Sequence, residues 1–308
     1  MNYLVTGAAG FIGAAIAERF LSEGHQCTTI DNLSTGCIEH IPEGVTFIFG
    51  DVADKSTIEK LNNERFDAII HMAGQSSGEI SFDDPVSDLH TNTQSTLLLL
   101  DYAKKNGIKK FIYASLMSTY GDHQPPECCE ETTTVPKSFY AVGKLASENY
   151  MRIFSKFDIA CTALRFFNVY GVGQNLKNLR QGMASIFLAM AIKDHHIQVK
   201  GSKDRFRDFV YIDDVVNAVA ASLNIPEGYH VYNVCTNKPT TVEQVVATIQ
   251  SCLPYEVSVE YTDGTPGDQF GIFGDYSKIT KELGWIPSVD FCAGMHTMVR
   301  WAVDELKL

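Results

Sequence analysis

The chain has 308 residues, of which 45% are hydrophobic and 20% are charged, enough for one large domain or two ordinary ones. Its 25 Lys and Arg residues against 37 Asp and Glu residues give a formal net charge of −12. This balance argues against binding to nucleic acid or to an anionic membrane, because both need a dense cationic surface. A small anionic ligand remains compatible with it, since a few well-placed donors can hold one.

The first residues, the apolar stretches and the cysteines of the sequence predict the cellular compartment of the protein. The sequence opens on a strand-like run, with no basic segment leading into an apolar signal region. The longest uniform apolar stretch, Leu97 to Leu100, is too short to cross a bilayer. The eight cysteines form no C-x-x-C pair, and the adjacent His195 and His196 lack metal-ligand spacing. We therefore expect a cytoplasmic protein with reduced thiols and no metal site.

The first half of the chain alternates short apolar runs with amphipathic segments of helical length. The predicted strands are 3–6, 27–30, 46–49, 68–72, 111–115 and 161–165. The predicted helices are 11–22, 54–63, 86–106 and 138–156. This alternation predicts an α/β fold with a Rossmann-type, doubly wound parallel sheet covered by helices on both faces. Ligands of such sheets gather at the carboxyl ends of the strands.

After about residue 170 the alternation weakens. The segment 171–181 is predicted to be a loop, and helices at 182–193 and 242–252, a strand at 197–200 and an acidic helix from Asp213 follow. We predict a dinucleotide-binding domain at 1–170, to which the segment 209–236 returns, and a smaller α+β substrate-binding domain at 171–308.

A glycine cluster lies between the first predicted strand and the first predicted helix. Gly7, Gly10 and Gly13 have the spacing G-x-x-G-x-x-G. Glycine allows a tight turn and a close approach to a pyrophosphate, and the helix N-terminus offers free N–H groups. A purely structural turn is an equally good interpretation of the glycines alone.

Carboxylates at the ends of the next two strands strengthen the cofactor interpretation. Asp31 ends the second strand, where a carboxylate accepts ribose hydroxyls and repels a 2′-phosphate, so NAD is favoured over NADP. Asp51 and Val52 follow the third strand and are candidates for the adenine edge. The alternative is that Asp31 merely caps a turn.

Tyr140 and Lys144 are four residues apart on a predicted helix and so share one face of it. A lysine ammonium lowers the pKa of a neighbouring phenol and makes its phenolate a usable base. The pair gains meaning from its position after the glycine turn and the fifth predicted strand.

Taken together, these motifs resemble the nucleotide-sugar epimerase branch of the extended short-chain dehydrogenase/reductases. The segments that carry the resemblance extend over nearly the whole chain: 7–13, 31–33, 51–52, 71–74, Asn92, 120–121, 140–144, 165–171, 205–215 and 266–268. The resemblance implies an NAD-dependent enzyme that inverts carbon 4 of a nucleotide-diphosphate sugar, most commonly a UDP-sugar, through a transient 4-keto intermediate. It also implies a homodimer.

The same resemblance assigns roles to individual residues. The NAD contacts it implies are Gly7, Gly10, Phe11, Ile12, Gly13, Asp31, Asn32, Asp51, Val52, Ala73, Asn92, Tyr140 and Lys144. Asn168 and Asp268 would contact the sugar nucleotide, and Arg207 would clamp its diphosphate, a role that suits a planar guanidinium. The alternative for Arg207 is a salt bridge to Asp208 or Asp204.

Two departures from the family pattern stand out. Leu116 occupies the position of the usual catalytic Ser or Thr and can neither bond a sugar oxygen nor relay its proton. Ser115 is the adjacent candidate, although strand alternation points it to the opposite face. Thr265 stands where many relatives have an arginine, so diphosphate binding is expected to depend more on Arg207. We therefore expect slow turnover.

Two other functions remain open. The family also contains dehydratases and decarboxylases, in which acidic residues follow the catalytic threonine, whereas Met117 and Ser118 occupy those places here. A non-catalytic protein that binds NAD or a sugar nucleotide is favoured by Leu116 and disfavoured by the intact Tyr140–Lys144 pair.

Overall fold

The computed structural model describes residues 1–61, 64–180, 182–264 and 270–306. Its strands are β1 (Asn2–Thr6), β2 (Gln26–Asp31), β3 (Thr46–Phe49), β4 (Ala68–His71), β5 (Lys110–Leu116), β6 (Glu127–Cys128), β7 (Ala160–Phe166), β8 (Asn168–Tyr170), β9 (His196–Lys200), β10 (Phe206–Tyr211), β11 (Gly228–Val234), β12 (Pro239–Thr241), β13 (Ser258–Thr262) and β14 (Gly271–Gly274). Its α-helices are α1 (Phe11–Ser22), α2 (Lys55–Glu59), α3 (Gly78–Asp83), α4 (Pro85–Leu89), α5 (Ser95–Asn106), α6 (Phe139–Phe154), α7 (Met183–Asp194), α8 (Ile212–Ser222), α9 (Val242–Cys252), α10 (Ser277–Leu283) and α11 (Phe291–Glu305).

The central sheet has seven parallel strands in the order β3-β2-β1-β4-β5-β7-β11. Alternate residues of a strand pack on opposite faces, as β1 shows. Val5 belongs to the same buried cluster as Ile16 of α1, whereas Leu4 belongs to the cluster of Leu99 of α5. The doubly wound Rossmann-type fold expected from the sequence is confirmed, and the carboxyl ends of its strands meet at one edge.

A second, mixed sheet adjoins this edge. Its strands are β12, β10, β14 and β6 in that order, and β8 pairs with β10 as well. Strands β9 and β13 form a separate parallel pair. The sequence patterns did not predict β10 or β14, because these short strands pair with segments far away in the chain.

The predicted helix at 86–106 is interrupted. Helix α4 ends at Leu89, a π-turn occupies His90–Gln94, and α5 begins at Ser95. Such π-turns are rare and are frequent at functional sites. Asn92 lies in the middle of this one and is fully buried.

Within the described parts of the chain, no helix combines the length and the apolar character that crossing a membrane requires.

Candidate cofactor and substrate site

The glycine loop joins β1 to α1 and packs tightly against the loop after β4. Gly7 has a φ of +78°, and a Cβ there would lie 2.7 Å from the backbone nitrogen of Ala73. A Cβ on Gly13 would lie 2.3 Å from the carbonyl oxygen of Gly7. Both positions therefore require glycine. Gly10 is the N-cap of α1 and has no side chain to occupy the first-turn amides, so these amides suit an anion.

Asp31, at the end of β2, faces the glycine loop. Its Oδ2 accepts the backbone N–H of Ala9 at 3.1 Å, and its Oδ1 accepts that of Leu33 at 2.8 Å. The carboxylate thus has the turn-capping role that the sequence left open. Each carboxylate oxygen keeps a second lone pair, so Asp31 can hold the loop and accept ribose hydroxyls together.

A second carboxylate lies beside it, after β3. Asp51 accepts the Nδ2 proton of Asn32 at 3.0 Å and the backbone N–H of Ala53 at 2.8 Å. The following residue, Val52, is 4% exposed. The loops after β2 and β3 are therefore linked to each other next to the glycine loop.

A buried histidine links the ends of β1 and β4. Ser95 Oγ donates to the carbonyl of Thr91 at 2.5 Å, so its oxygen accepts the Nε2 proton of His71 at 3.1 Å. Nδ1 of His71 then accepts the hydroxyl proton of Thr6 at 2.8 Å. Thr6 Oγ1 also accepts the backbone N–H of Ala73 at 3.2 Å. In this pattern the imidazole is neutral, because its Nδ1 accepts a hydrogen bond and so carries no proton.

We expect His71 to make the protein acid-labile. Burial, and secondly the charge of Lys144, lower the pKa of His71 from 6.5 to about 3. Because the folded pKa lies below the unfolded one, the stabilisation is complete above pH 6.5 and is lost as the pH falls toward 3. The contribution is about 4–5 kcal/mol of unfolding free energy.

Urea unfolding across this pH range should therefore show an unfolding free energy that depends less on pH in His71→Asn than in wild type. An exposed-site control, His40→Asn, should keep the wild-type dependence, and an equal slope in all three proteins would contradict the assignment.

Tyr140 and Lys144 lie in the first turns of α6. Ser138 caps this helix by accepting the backbone N–H of Ala141 at 3.2 Å. Lys144 is 4% exposed, and its Nζ donates to the carbonyl of Ala114 on β5 at 3.0 Å. The same Nζ lies 5.8 Å from the ring centroid of Tyr140, so the helix presents both groups at the end of β5.

Burial acts on both titrating groups of this pair. It lowers the pKa of Lys144 to about 8, and it raises the pKa of the Tyr140 phenol. In both residues the nearby charge of Asp88 acts to raise the pKa. A phenol in this setting needs added positive charge before it can serve as a base near neutral pH.

Asn92 directs an unpaired acceptor at the same place. Its Nδ2 donates to Asp88 Oδ1 at 3.0 Å, while its Oδ1 is buried and has no hydrogen-bond partner within the described part of the chain. A Cβ built on Gly74 would lie 2.6 Å from that Oδ1 and 3.2 Å from Lys144 Nζ. A buried acceptor and an ammonium group therefore converge beside a glycine, an arrangement that suits a polar ligand.

Leu116 is the last residue of β5 and is half-buried in extended backbone conformation. The adjacent Ser115 faces elsewhere and donates to Oε1 of the buried Glu148 at 2.5 Å. Arg165 on β7 donates to both oxygens of Glu148, at 3.0 and 2.7 Å. The hydroxyl of Ser115 is thus part of a buried ion-pair network and leaves Leu116 as the residue at the usual Ser or Thr position.

Strands β8 and β10 hold the candidate substrate residues. Asn168 on β8 pairs with Phe209 of β10, and its buried Oδ1 has no hydrogen-bond partner in the described ranges. Arg207, two residues before Phe209, is 6% exposed and donates to the carbonyls of Phe206 at 2.8 Å and Phe270 at 3.3 Å. Burial and the charge of Arg205 lower the pKa of Arg207 to about 10.

Asp208, which the sequence offered as a salt-bridge partner of Arg207, accepts the backbone N–H groups of Thr236 at 2.8 Å and Asn237 at 2.9 Å. Thr265 and Asp268 lie outside the described residues.

Comparison with known proteins places this geometry in a family. The family model described as the NAD dependent epimerase/dehydratase family matches residues 3–235, more than half of the chain. The chain belongs to this family. A putative UDP-glucose 4-epimerase of Methanocaldococcus jannaschii is 31% identical over 300 residues, covering 97% of each chain.

Two solved structures of epimerases are similar over nearly the full chain. The UDP-glucose 4-epimerase of Thermotoga maritima with UDP-glucose has a TM-score of 0.95 at 31% identity and covers 99% of this chain and 100% of that one. The UDP-glucose 4-epimerase of Thermus thermophilus in complex with NAD has a TM-score of 0.92 at 31% identity, with 98% coverage of both chains.

Within this epimerase/dehydratase family site, sequence reasoning missed three groups. They are the His71 network, the Glu148–Arg165 pair and Asp88, all of them buried. The available signal was polarity at positions that the α/β pattern predicts to be buried, and for Asp88 the spacing of four residues before Asn92.

Proposed function

We propose that this protein is an NAD-dependent 4-epimerase of UDP-sugars. The observation that carries the proposal is the placement of Tyr140 and Lys144 at the end of β5, on the same sheet edge as the glycine loop. The names of the relatives that match over nearly the whole chain support the same activity.

The residues of the cofactor edge fit NAD. The amides of the first turn of α1 suit its pyrophosphate, Asp31 its adenosine ribose, and the unpaired Oδ1 of Asn92 its nicotinamide end. Gly7 and Gly13 allow the loop to pack against the backbone of Ala73 and on itself, which holds it in this tight turn. NAD, when bound, supplies the reversible oxidation of the sugar carbon.

The chain's own residues move the proton and hold the sugar nucleotide. Tyr140 takes the proton of the 4-hydroxyl and returns it, and the ammonium of Lys144 stabilises the phenolate. Arg207 offers its guanidinium to the diphosphate and Asn168 its unpaired Oδ1 to the nucleotide sugar. With Leu116 at the end of β5, Tyr140 performs the proton transfer without a hydroxyl relay at that position.

We further propose the division of labour between an NAD-binding part, residues 1–170 with the segment 209–236, and a substrate-binding part, residues 171–308. Strand β11 supports this division, because it pairs with β7 at the edge of the central sheet. Asp268 belongs to the substrate part of this proposal.

A cytoplasmic homodimer completes the proposal. Five apolar side chains of α3, α4 and α6 are between 48% and 75% exposed: Phe82, Val86, Leu89, Phe139 and Val142. The rings of Phe82 and Phe139 lie 5.5 Å apart, and the three helices pack against one another, so the five side chains lie on neighbouring elements. An apolar patch of this kind on helix faces is suited to a two-fold interface. All eight cysteines are free, which fits a reducing compartment.

Incubation with UDP-, dTDP-, GDP- and CDP-sugars tests the function. We expect proton NMR of the anomeric signals to show conversion of a UDP-sugar into its 4-epimer, and much slower conversion with Tyr140→Phe. Unchanged spectra across the panel with NAD bound, in wild type and in Leu116→Ser, would support instead the non-catalytic binding protein that Leu116 favours.

A further inference from the structure

A buried carboxyl group lies beneath the Tyr140–Lys144 pair. Asp88, in α4, is 2% exposed, and its Oδ1 accepts the side-chain amide protons of Gln75 at 2.8 Å and Asn92 at 3.0 Å. Its Oδ2 is buried and has no hydrogen-bond partner among the residues that the structure describes. A Cβ built on Gly143 would lie 3.5 Å from that Oδ2, so the unpaired oxygen faces α6 between Tyr140 and Lys144.

Two acceptors fix the orientation of Asn92: its Nδ2 donates to Asp88 Oδ1 and to the backbone carbonyl of Gln75, each at 3.0 Å. An ionised carboxylate accepts hydrogen bonds and cannot donate them. The amide of Asn92 must therefore present its Nδ2 to Asp88 and its Oδ1 to the side of Gly74 and Lys144. A reversed amide would place two oxygens against each other. The carboxylate of Asp88 and the carbonyl of Gln75 thus act together to direct the Oδ1 of Asn92 toward the proposed cofactor site.

The charge of Asp88 also acts on the pair. Burial raises the pKa of Asp88, but the donors Gln75 and Asn92 and the charge of Lys144 favour its ionised form. That negative charge opposes the burial that lowers the pKa of Lys144 to about 8. It therefore favours the ammonium form of Lys144.

We propose that Asp88 is a positioning residue that orients the Asn92 amide and keeps Lys144 protonated while the enzyme turns over. This inference rests on the proposed function for its catalytic meaning, whereas its electrostatic part can be measured without substrate or cofactor.

Other titratable groups lie around the pair. His71 on β4 is neutral because its pKa is lowered to about 3, and burial raises the pKa of Tyr113 on β5, so neither carries charge near neutrality. Glu148 of α6 is compensated by the bidentate Arg165 of β7. Among the described residues near the pair, Asp88 is the carboxylate whose charge is not matched by a cation of its own.

The test compares Asp88→Asn with Asp84→Asn, a change of an exposed carboxylate four residues earlier. Asn at 88 keeps an acceptor for Gln75 and Asn92 and removes the charge. Carbon-13 NMR of lysine Cε, with the Lys144 signal assigned by its loss in Lys144→Met, gives the midpoint of the ammonium titration. We expect a midpoint near 8 in wild type and Asp84→Asn, and one about one pH unit lower in Asp88→Asn.

The pH profile of kcat gives the second measurement. The charge of Asp88 raises the pKa of Tyr140 and of Lys144 alike. Its removal in Asp88→Asn should therefore shift both the acidic and the basic limb of the profile to lower pH. A purely structural role would lower the profile without moving it. Asp88→Ser also removes the charge and serves as the second variant if Asp88→Asn does not fold. It should show the same lowered Lys144 midpoint.

A Lys144 midpoint that is unchanged in both Asp88 variants would overturn the inference. The proposed function fails differently: full activity in Tyr140→Phe would exclude Tyr140 as the base, whatever the lysine titration shows.

Discussion

Leu116→Ser is expected to raise kcat for 4-epimerisation by about 10²–10⁴, the range that a positioned proton-transfer group contributes. Position 116 ends β5 in extended conformation with φ −151° and ψ 159°, which serine adopts without strain. The hydroxyl would replace a half-buried apolar side chain at the same sheet edge as Lys144. Loss of the apolar contact is expected to lower the unfolding free energy by about 1–2 kcal/mol.

The matched control is Leu116→Ala, which removes the bulk of the side chain without adding a hydroxyl. Steady-state kinetics with a UDP-sugar should place this variant near wild type. An equal gain in both variants would mean that leucine obstructs the site sterically, and no gain with serine would end the hydroxyl hypothesis.

Tyr140→Phe is expected to lower kcat by about 10²–10⁴, because it removes the group that transfers the proton of the sugar hydroxyl. Phenylalanine keeps the ring between α6 and the site, so the affinity for NAD should change little. NMR of reactions quenched at successive times measures kcat, and fluorescence titration measures NAD binding.

Tyr150→Phe provides the control, since Tyr150 is another half-buried tyrosine of the same helix, ten residues further on. It should retain wild-type kcat. A large loss in this variant, or none in Tyr140→Phe, would contradict the assignment of Tyr140 as the base.

The elements with local signals were predictable. Helix α1 and strand β3 have the predicted bounds, because hydrophobic periodicity and the glycine turn are encoded by neighbouring residues. Helix α9 also has its predicted bounds, 242–252, and begins with a capping box between Thr241 and Gln244 that the sequence contains within four residues.

The parts that the sequence patterns missed depend on distant partners. Strand β14 is stabilised by its parallel pairing with β10, more than 60 residues earlier in the chain. Its four residues show no alternation of polar and apolar side chains. The π-turn at His90–Gln94 interrupts an otherwise good helical pattern, since the buried bonds of Asn92 override the local preference.

The site showed the same division. The identities of the residues marked Tyr140, Lys144 and the glycine loop as candidates, whereas the importance of Asp88 emerged only from its burial and its hydrogen bonds. A carboxylate in a helix is ordinarily a solvated surface group, so the spacing of Asp88 from Asn92 was not enough to single it out.

Helix α6 is fastened to the central sheet by the buried pair of Glu148 and Arg165, to which Ser115 of β5 adds a further bond. Removing one partner of a buried ion pair of this kind costs about 3–5 kcal/mol, so α6 is held firmly against the sheet. Because Lys144 of the same helix also donates to the carbonyl of Ala114 on β5, the Tyr140–Lys144 pair is expected to keep its position relative to that strand.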